Sequence, residues 1–271
     1  MSEFTEFAST GPSAAFFDLD RTLISGSSVF VFGVAAWRAG LVKRRELIGD
    51  AIGAAMFRLR GADDDTTTGV RDRILGAVKG IHYDDLVALN ADIVPKLIAR
   101  VRPEAQRLVD LHRHAGRATY IVSASPVELV APLAQALGMT AGLGTRSAVA
   151  DGVYTGELAG PFCYGPGKVE AMTELARWEG YDLGQCYAYS DSASDLPMLE
   201  AVGHPVAVNP DGPLARVAHD HGWPIVIFRR RTRRVVRRTT ALVGAAGLAG
   251  AAFAGGVTVG KRTKGGSRSR R

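Results

Sequence analysis

Residues 16–23 read FFDLDRTL, and this short stretch decides the fold. It belongs to an apolar segment, 14–19 (AAFFDL), that follows a Gly-Pro-Ser turn at 11–13. A short apolar run bounded by turn residues predicts a buried strand. The strand ends in Asp18, and Asp20 follows one residue later, so the chain places two carboxylates where most strands carry none.

The length and composition fit one α/β domain with an insertion, or two modest domains. The chain has 271 residues, of which 46% are apolar, enough for a packed core. Its two cysteines, Cys163 and Cys186, imply no disulfide framework, so we expect reduced thiols. Residues 1–13 carry two glutamates and lack the pattern of a secretory signal. We expect this segment to be disordered and the folded body to be cytoplasmic.

Helical spacing dominates the sequence after the first strand. Four segments keep apolar residues near a 3.6-residue period and are separated by Gly- or Asp-rich breaks, which predicts a four-helix insertion, or cap, at 28–100. The segments are VFVFGVAAWRAGL, RELIGDAIGAAMFRLR, VRDRILGAVKGI and YDDLVALNADIVPKLIARV.

Strands and helices alternate from 101 to 228. The segments 118–125, 186–191, PVAVN and WPIVIF predict further strands, and the segments 102–116, 126–138 and 167–180 predict helices between them. Asp151-Gly152 marks a hairpin within 147–160. This alternation predicts a parallel, doubly wound, Rossmann-like sheet formed by 14–27 and 101–228.

Polar residues follow three of the predicted strands, at the edge where ligands bind in such sheets. Several carboxylates near one point repel one another unless a cation joins them, and oxygen ligands suit Mg²⁺. A lysine and a serine beside that cation would hold a phosphate. The residues concerned are Asp18 and Asp20, Ser123 to Ser125, Ser190 to Ser192, Asp195, and Lys168 at the start of a helix.

This arrangement explains the paired aspartates. One carboxylate can attack phosphorus and form an aspartyl-phosphate. The other can protonate the leaving oxygen and later activate water. One group cannot easily do both, because the nucleophile must be ionised and the acid protonated.

The four motifs, DLDRTL, a serine on the second strand, a lysine and SDSASDLPML, resemble in their order the haloacid dehalogenase (HAD) superfamily. More narrowly they resemble its phosphoserine-phosphatase-like subfamily IB, which carries an inserted helical cap of the C1 type. The resemblance covers about residues 14–228. It implies a Mg²⁺-dependent phosphatase. The second acid of the first motif, Asp20, disfavours the dehalogenases of the superfamily, which use a single aspartate and no metal.

The resemblance also implies a role for each motif residue. Asp18 would be the nucleophile and a metal ligand, and Asp20 the general acid/base, with its backbone carbonyl on the metal. The phosphate-binding residues would be Ser123, Ala124 and Lys168. The remaining metal ligands would be Asp191 and Asp195.

The sequence departs from the family pattern at positions that contact the substrate in phosphoserine phosphatases. A glutamate that contacts the substrate ammonium in phosphoserine phosphatases is replaced by Ser27, and the usual Gly-Asp-Gly-x-Asn-Asp motif is SDSASD at 190–195. Arg73 falls where the family's cap arginine grips a carboxylate. The candidate substrate contacts are therefore Arg73, Ser27 and Ser194.

Structural roles remain open for several of these residues. Asp195 is also placed to cap the helix that follows it, and Ser125 precedes a helix as an N-cap would. Ser27 and Ser28 are placed to cap the first cap helix. Arg73 also fits a solvated position on an amphipathic helix.

The C-terminal segment 229–271 differs sharply in charge from the rest. It holds thirteen of the 33 basic residues and none of the 27 acidic ones, so the preceding body is acidic. Within it, 239–260 has no charged residue and is long enough to form a transmembrane helix, although Ala and Gly predominate. Membrane anchoring, binding to anionic lipid and a disordered tail all fit this pattern. Nucleic acid is not expected as a partner, because no aromatic residues interleave with the arginines.

Three functions follow from these features. The first is a phosphatase for a small polar monoester of the phosphoserine type. The second is a phosphatase for a lipid phosphate or another membrane-associated monoester. The third is a non-catalytic, membrane-bound regulatory protein on the same fold, which the intact motifs disfavour.

Overall fold

The computed structural model describes residues 12–42 and 64–228. The predicted second cap helix, residues 1–11 of the N-terminal segment and the basic tail with its candidate membrane segment 239–260 lie outside the described residues. Among the helices of the two described ranges, none combines the length and the apolar character needed to cross a bilayer.

A six-stranded parallel sheet forms the centre of the fold, which confirms the predicted Rossmann-like core. Its strand order is β3-β2-β1-β6-β7-β8, and β4 and β5 form a separate antiparallel hairpin. The strands are β1 (Ala14–Asp18), β2 (Ala118–Pro126), β3 (Ala141–Thr145), β4 (Ser147–Ala150), β5 (Val153–Leu158), β6 (Tyr187–Ser190), β7 (His204–Val208) and β8 (Ile225–Val226).

Nine α-helices lie within the described ranges. Five of them lie between β1 and β2, and the first four of these are named the cap helices. These are α1 (Ser28–Arg38), α2 (Asp64–Val78), α3 (Tyr83–Ala88) and α4 (Asn90–Ile98). The others are α5 (Pro103–His114), α6 (Val127–Ala136), α7 (Pro166–Glu179), α8 (Leu196–Glu200) and α9 (Gly212–Asp220). The predicted single helix from 83 to 101 is therefore wrong, because the chain breaks at Leu89 into α3 and α4.

The sheet contains one strand, β3, that the sequence did not predict. Its sequence AGLGT has two glycines, which lower strand propensity. Both glycines are required by the approach of α6, because a Cβ on Gly142 would lie 2.6 Å from the carbonyl oxygen of Val130 and one on Gly144 2.7 Å from the Cα of Val127. Tertiary packing, rather than local preference, fixes this strand.

Strand β1 is buried on both faces, which explains its unbroken apolar sequence. Ala15, Phe17 and Leu19 pack into the core on one side of the sheet, and Ala14 and Phe16 pack into the core on the other. Its neighbours β2 and β6 run parallel to it, with Asp18 level with Val122 of β2. The residues that follow all three strands therefore meet at one edge.

The chain enters and leaves the cap helices side by side. Ser25 donates from its backbone N–H to the carbonyl of Arg100 at 2.8 Å, and its hydroxyl lies 3.1 Å from the same oxygen. The N–H of Arg102 donates to the carbonyl of Leu23 at 2.9 Å. These contacts fix the start of α1 relative to the sheet.

The hairpin packs against the cap helices rather than on the sheet. Tyr154 of β5 is buried with Val78, Ile81 and Leu86 in a small apolar cluster. The turn of the hairpin places Asp151 and Gly152 at φ values of 50° and 75°. These values suit the Asp-Gly pair from which the hairpin was predicted.

A buried histidine lies beneath the central strand. His112 of α5 is 3% exposed, and its Nε2 lies 2.8 Å from the Tyr189 hydroxyl. Tyr189 in turn stacks on Phe17 of β1, with ring centroids 4.5 Å apart. Burial, together with the nearby Arg117 charge, lowers the pKa of His112 to about 4.

Because the pKa of His112 is lowered, we expect the protein to lose stability in mild acid. This pKa lies below the value of 6.5 for an exposed histidine, so the unfolded chain binds more protons between these values. The free energy of unfolding should therefore fall as pH is lowered through this range, by roughly 2 kcal/mol at pH 5 from this group. His112→Gln should remove that part of the pH dependence in urea denaturation. His114→Gln, at an exposed position on the same helix, should leave it unchanged, and equal slopes in both variants would contradict the assignment.

A second prediction concerns the start of α7. A Cβ on Gly167 would lie 1.8 Å from the backbone oxygen of Phe162, so alanine requires the preceding loop to move. We expect Gly167→Ala to lower the free energy of unfolding by about 1–3 kcal/mol. Gly212→Ala, in the first turn of α9 with no atom within 4 Å, should be neutral or slightly stabilising. Urea denaturation of both variants tests the comparison, which fails if they behave alike.

Candidate active site

The lysine of the third motif joins two of the predicted aspartates. Lys168 of α7 is 3% exposed, and its Nζ lies 2.7 Å from Oδ1 of Asp18 and 2.8 Å from Oδ2 of Asp195. The Ser190 hydroxyl also donates to that Asp195 oxygen at 2.6 Å. Burial alone would lower the pKa of Lys168, but the two carboxylate charges raise it above its usual value. The ammonium is therefore charged and fixed beside Asp18.

Asp18 itself lies at the end of β1 and is 8% exposed. Burial raises its pKa to about 7, and the Lys168 charge opposes this rise. Lys168 donates to Oδ1 of this carboxylate, which makes Oδ2 the candidate reacting oxygen.

Asp191 follows β6 and forms an ion pair with an arginine of the first motif. Its Oδ2 lies 2.8 Å from Nε of Arg21. Burial raises the pKa of Asp191 to about 8, the charge of Asp18 adds to the rise, and Arg21 opposes it. Arg21 has a φ of 66°, a left-handed conformation that is unusual for a residue other than glycine, asparagine or aspartate.

Asp20 contacts the beginning of the first cap helix. Its Oδ1 accepts from the backbone N–H of Ser28 at 2.6 Å, and its Oδ2 accepts from the Ser28 hydroxyl at 3.0 Å. Burial raises the pKa of Asp20, and the two hydrogen bonds from Ser28 oppose the rise. Ser27 is the N-cap residue of α1, but its side chain makes no capping hydrogen bond, so Asp20 takes over that function.

The end of β2 is irregular where the phosphate-binding residues were predicted. The pairing of β2 with β3 shifts register between Val122 and Pro126. Ser123 is 4% exposed, and its hydroxyl oxygen accepts from the N–H of Ser125 at 3.2 Å. The carbonyl of Ala124 accepts from Thr145 at 2.8 Å, which fixes this residue at the bulge.

The predicted capping role of Ser125 is wrong, and Asp195 is the N-cap residue of α8 by position only. The N-cap residue of α6 is Pro126, and Ser125 instead contacts the Ser28 hydroxyl at 2.9 Å. Asp195 precedes α8 but makes no side-chain capping bond, because its carboxylate is held by Lys168 and Ser190.

The three candidate substrate contacts have different surroundings. Ser27 is half-buried beside the site. Ser194 bonds to Ser192 at 3.0 Å and also to the phenol of Tyr164, a contact that opposes the rise in the pKa of Tyr164 caused by burial. Arg73 lies in α2, and its side chain is outside the described part of the structure.

The four aspartates predicted as metal ligands do not form one carboxylate cluster. Within the described ranges, no three side chains of His, Cys, Asp or Glu are grouped so as to hold a metal ion. Asp18 nevertheless lies near enough to Asp191 for its charge to add to the rise that burial causes in the pKa of Asp191. A divalent cation between these two carboxylates would relieve the repulsion, with the Asp20 carbonyl as a third oxygen donor. The residues present therefore fit Mg²⁺ with few protein ligands and several waters.

Sequence reasoning missed the contacts that three residues make in this site. Arg21 pairs with Asp191, Ser28 holds Asp20, and Asp211 accepts from the N–H of Ala193 at 3.1 Å while it caps α9. The Asp-Gly-Pro sequence at 211–213 is a typical helix start and could have revealed the cap. The bond from Asp211 to the loop after β6 has no local signal in the sequence.

Comparison with known proteins agrees with this geometry. Residues 15–200 match the haloacid dehalogenase-like hydrolase family. A probable phosphatase of Mycobacterium tuberculosis is 41% identical over 250 residues, which are 89% of this chain and 87% of that protein. A phosphoserine phosphatase of the same species is 39% identical over 247 residues, 89% of this chain and 80% of that protein. A solved structure from Bordetella pertussis, described as a protein with unknown function, is 28% identical with a TM-score of 0.69, covering 80% of this chain and 99% of its own. The chain thus belongs to the haloacid dehalogenase-like hydrolases and has the fold of their phosphoserine-phosphatase-like members.

Proposed function

We propose that this hydrolase is a Mg²⁺-dependent phosphomonoester phosphatase that works through an aspartyl-phosphate on Asp18. The observation that carries the proposal is the contact of Lys168 with Oδ1 of Asp18 at 2.7 Å, because it directs a buried cation at the proposed nucleophile. A relative named phosphatase, at 41% identity over most of both chains, supports the same activity.

In the first step Oδ2 of Asp18 attacks phosphorus, and the bond from phosphorus to the leaving oxygen breaks. Asp20 gives its proton to that leaving oxygen, so the alcohol departs neutral. The raised pKa of Asp20 suits this role, because a buried carboxyl is more readily protonated near neutral pH.

In the second step Asp20, now a carboxylate, takes a proton from water, and the water oxygen attacks the phosphorus of the aspartyl-phosphate. The bond from Asp18 to phosphorus breaks, which releases inorganic phosphate and restores both aspartates. Lys168 and Ser123 bind the phosphoryl oxygens in both steps. Mg²⁺, when held by Asp18, Asp191 and the Asp20 carbonyl, would neutralise part of the phosphoryl charge.

We propose a small phosphomonoester as the substrate. A relative named phosphoserine phosphatase supports this class. Ser27 supplies a hydroxyl and no charge where phosphoserine phosphatases carry a glutamate, so this position does not select for a substrate ammonium. We propose that the catalytic body, residues 14–228, acts in the cytoplasm. Membrane anchoring through residues 239–260 is a separate prediction.

The test is phosphate release by the full chain with Mg²⁺ and with EDTA. The panel contains phosphoserine, sugar phosphates, nucleotides and lysophosphatidate, the last representing the lipid substrates that the tail suggested. Asp18→Asn should lower turnover by at least about 10³-fold, because an amide is not a nucleophile. EDTA should have a comparable effect.

The matched control is Asp182→Asn, the same chemical change at an exposed aspartate that caps a short helical turn. It should leave turnover unchanged, since asparagine is also a good cap. Failure of the unmodified protein to release phosphate from any substrate would sink the proposal and favour the non-catalytic function. Equal activity of Asp18→Asn would refute the assigned nucleophile.

A further inference from the structure

Three serines connect the proposed general acid/base to the phosphate-binding end of β2. Ser28 contacts both carboxylate oxygens of Asp20, and its hydroxyl lies 2.9 Å from that of Ser125. Ser125 donates from its backbone N–H to the hydroxyl oxygen of Ser123. Ser28, Ser123 and Ser125 are 0%, 4% and 2% exposed, so water competes little for these bonds.

The direction of the hydroxyl protons follows from the chemistry of the groups. When Asp20 is ionised it only accepts, and when it is protonated its proton must face the leaving oxygen, so in both states the Ser28 hydroxyl donates to Asp20. A serine has one such proton, so the contact between Ser28 and Ser125 requires Ser125 to donate. The Ser123 oxygen already accepts from an N–H, which leaves its own proton for a phosphoryl oxygen.

We propose that Ser28 is a positioning residue for Asp20 and that Ser125 acts behind it by fixing the direction of the Ser28 hydroxyl. Ser28 begins α1, the first cap helix, whereas Ser125 belongs to β2 of the sheet. The orientation of the acid/base is therefore set by a junction between the cap helices and the core. This inference rests on the proposed phosphatase function and names two residues that its reaction requires.

Loss of this positioning should affect one step selectively. Leaving-group departure belongs to the first irreversible step, which kcat/KM reports. An alkyl phosphate needs protonation at this step, whereas 4-nitrophenyl phosphate releases a stable anion and does not. A merely structural defect would lower kcat/KM for both substrates together. Misplacement of Asp20 would lower it for the alkyl phosphate alone.

The experiment measures kcat/KM of the full-length protein and its variants on 4-nitrophenyl phosphate and on the alkyl phosphate that the panel shows to be turned over fastest. Ser28→Ala keeps the backbone N–H bond to Asp20 but removes the hydroxyl. We expect it to lower kcat/KM for the alkyl phosphate by about 10- to 100-fold, part of the usual general-acid contribution. The value for 4-nitrophenyl phosphate should change by less than about threefold. Ser125→Ala should act in the same direction but less, because Ser28 can still donate.

A coupling measurement and a control complete the test. The double variant should lose little more than Ser28→Ala alone, since both serines act through one hydrogen bond. Ser25→Ala removes an exposed hydroxyl from the same connection but keeps the backbone N–H bond to Arg100 that fixes the start of α1, so kcat/KM for both substrates should be unaffected.

The outcomes separate this inference from the proposed function. If the wild type is active and Ser28→Ala changes kcat/KM for neither substrate, the positioning role is overturned and the proposed phosphatase function stands. An equal fall for both substrates also overturns it, since that is the result of structural damage. If the wild type releases phosphate from neither substrate, the proposed function fails and this inference fails with it.

Discussion

The arrangement of the site depends on one buried ammonium. Lys168 lies between Asp18 and Asp195, which come from different ends of the chain, and the three groups are almost inaccessible to solvent. Two buried carboxylates without this partner would each carry a large desolvation cost. The ion pairs tie the start of α7 to the ends of β1 and β6. Gly167 permits them, because the helix can begin that close to Phe162 only without a side chain at this position.

The sequence was most informative where a residue's role is decided by local pattern. The apolar run into Asp18, the strand and helix alternation after 101 and the Asp-Gly hairpin all predicted elements that the structure contains. It was least informative where distant parts of the chain decide. Nothing local in AGLGT favours a strand. Likewise, the sequence around Ser28 and around Ser125 does not indicate that their hydroxyls are in contact, although the two residues are 97 positions apart. The motif aspartates were found because phosphoryl transfer needs carboxylates at this spacing after a strand. Arg21 and Asp211 were missed because their contacts are with residues distant in the sequence.

The carboxylate proposed as the acid/base also has a structural role in the fold. Asp20 supplies the capping acceptor that Ser27 does not, so the first cap helix begins on a group that the proposed reaction protonates and deprotonates. Side-chain identity at the start of α1 consequently matters for more than the stability of the helix.

The backbone conformation of Arg21 carries a cost in stability. Its left-handed backbone would be comfortable for glycine, and for a residue with a Cβ it costs on the order of 1 kcal/mol. A glycine there would give a more stable backbone but would remove the charge that partners Asp191. A more stable backbone and the ion pair with Asp191, a proposed metal ligand, therefore make opposite demands on position 21. Relatives evolving toward heat resistance should therefore meet a conflict in the turn after β1, where relief of the left-handed backbone and retention of the ion pair exclude each other.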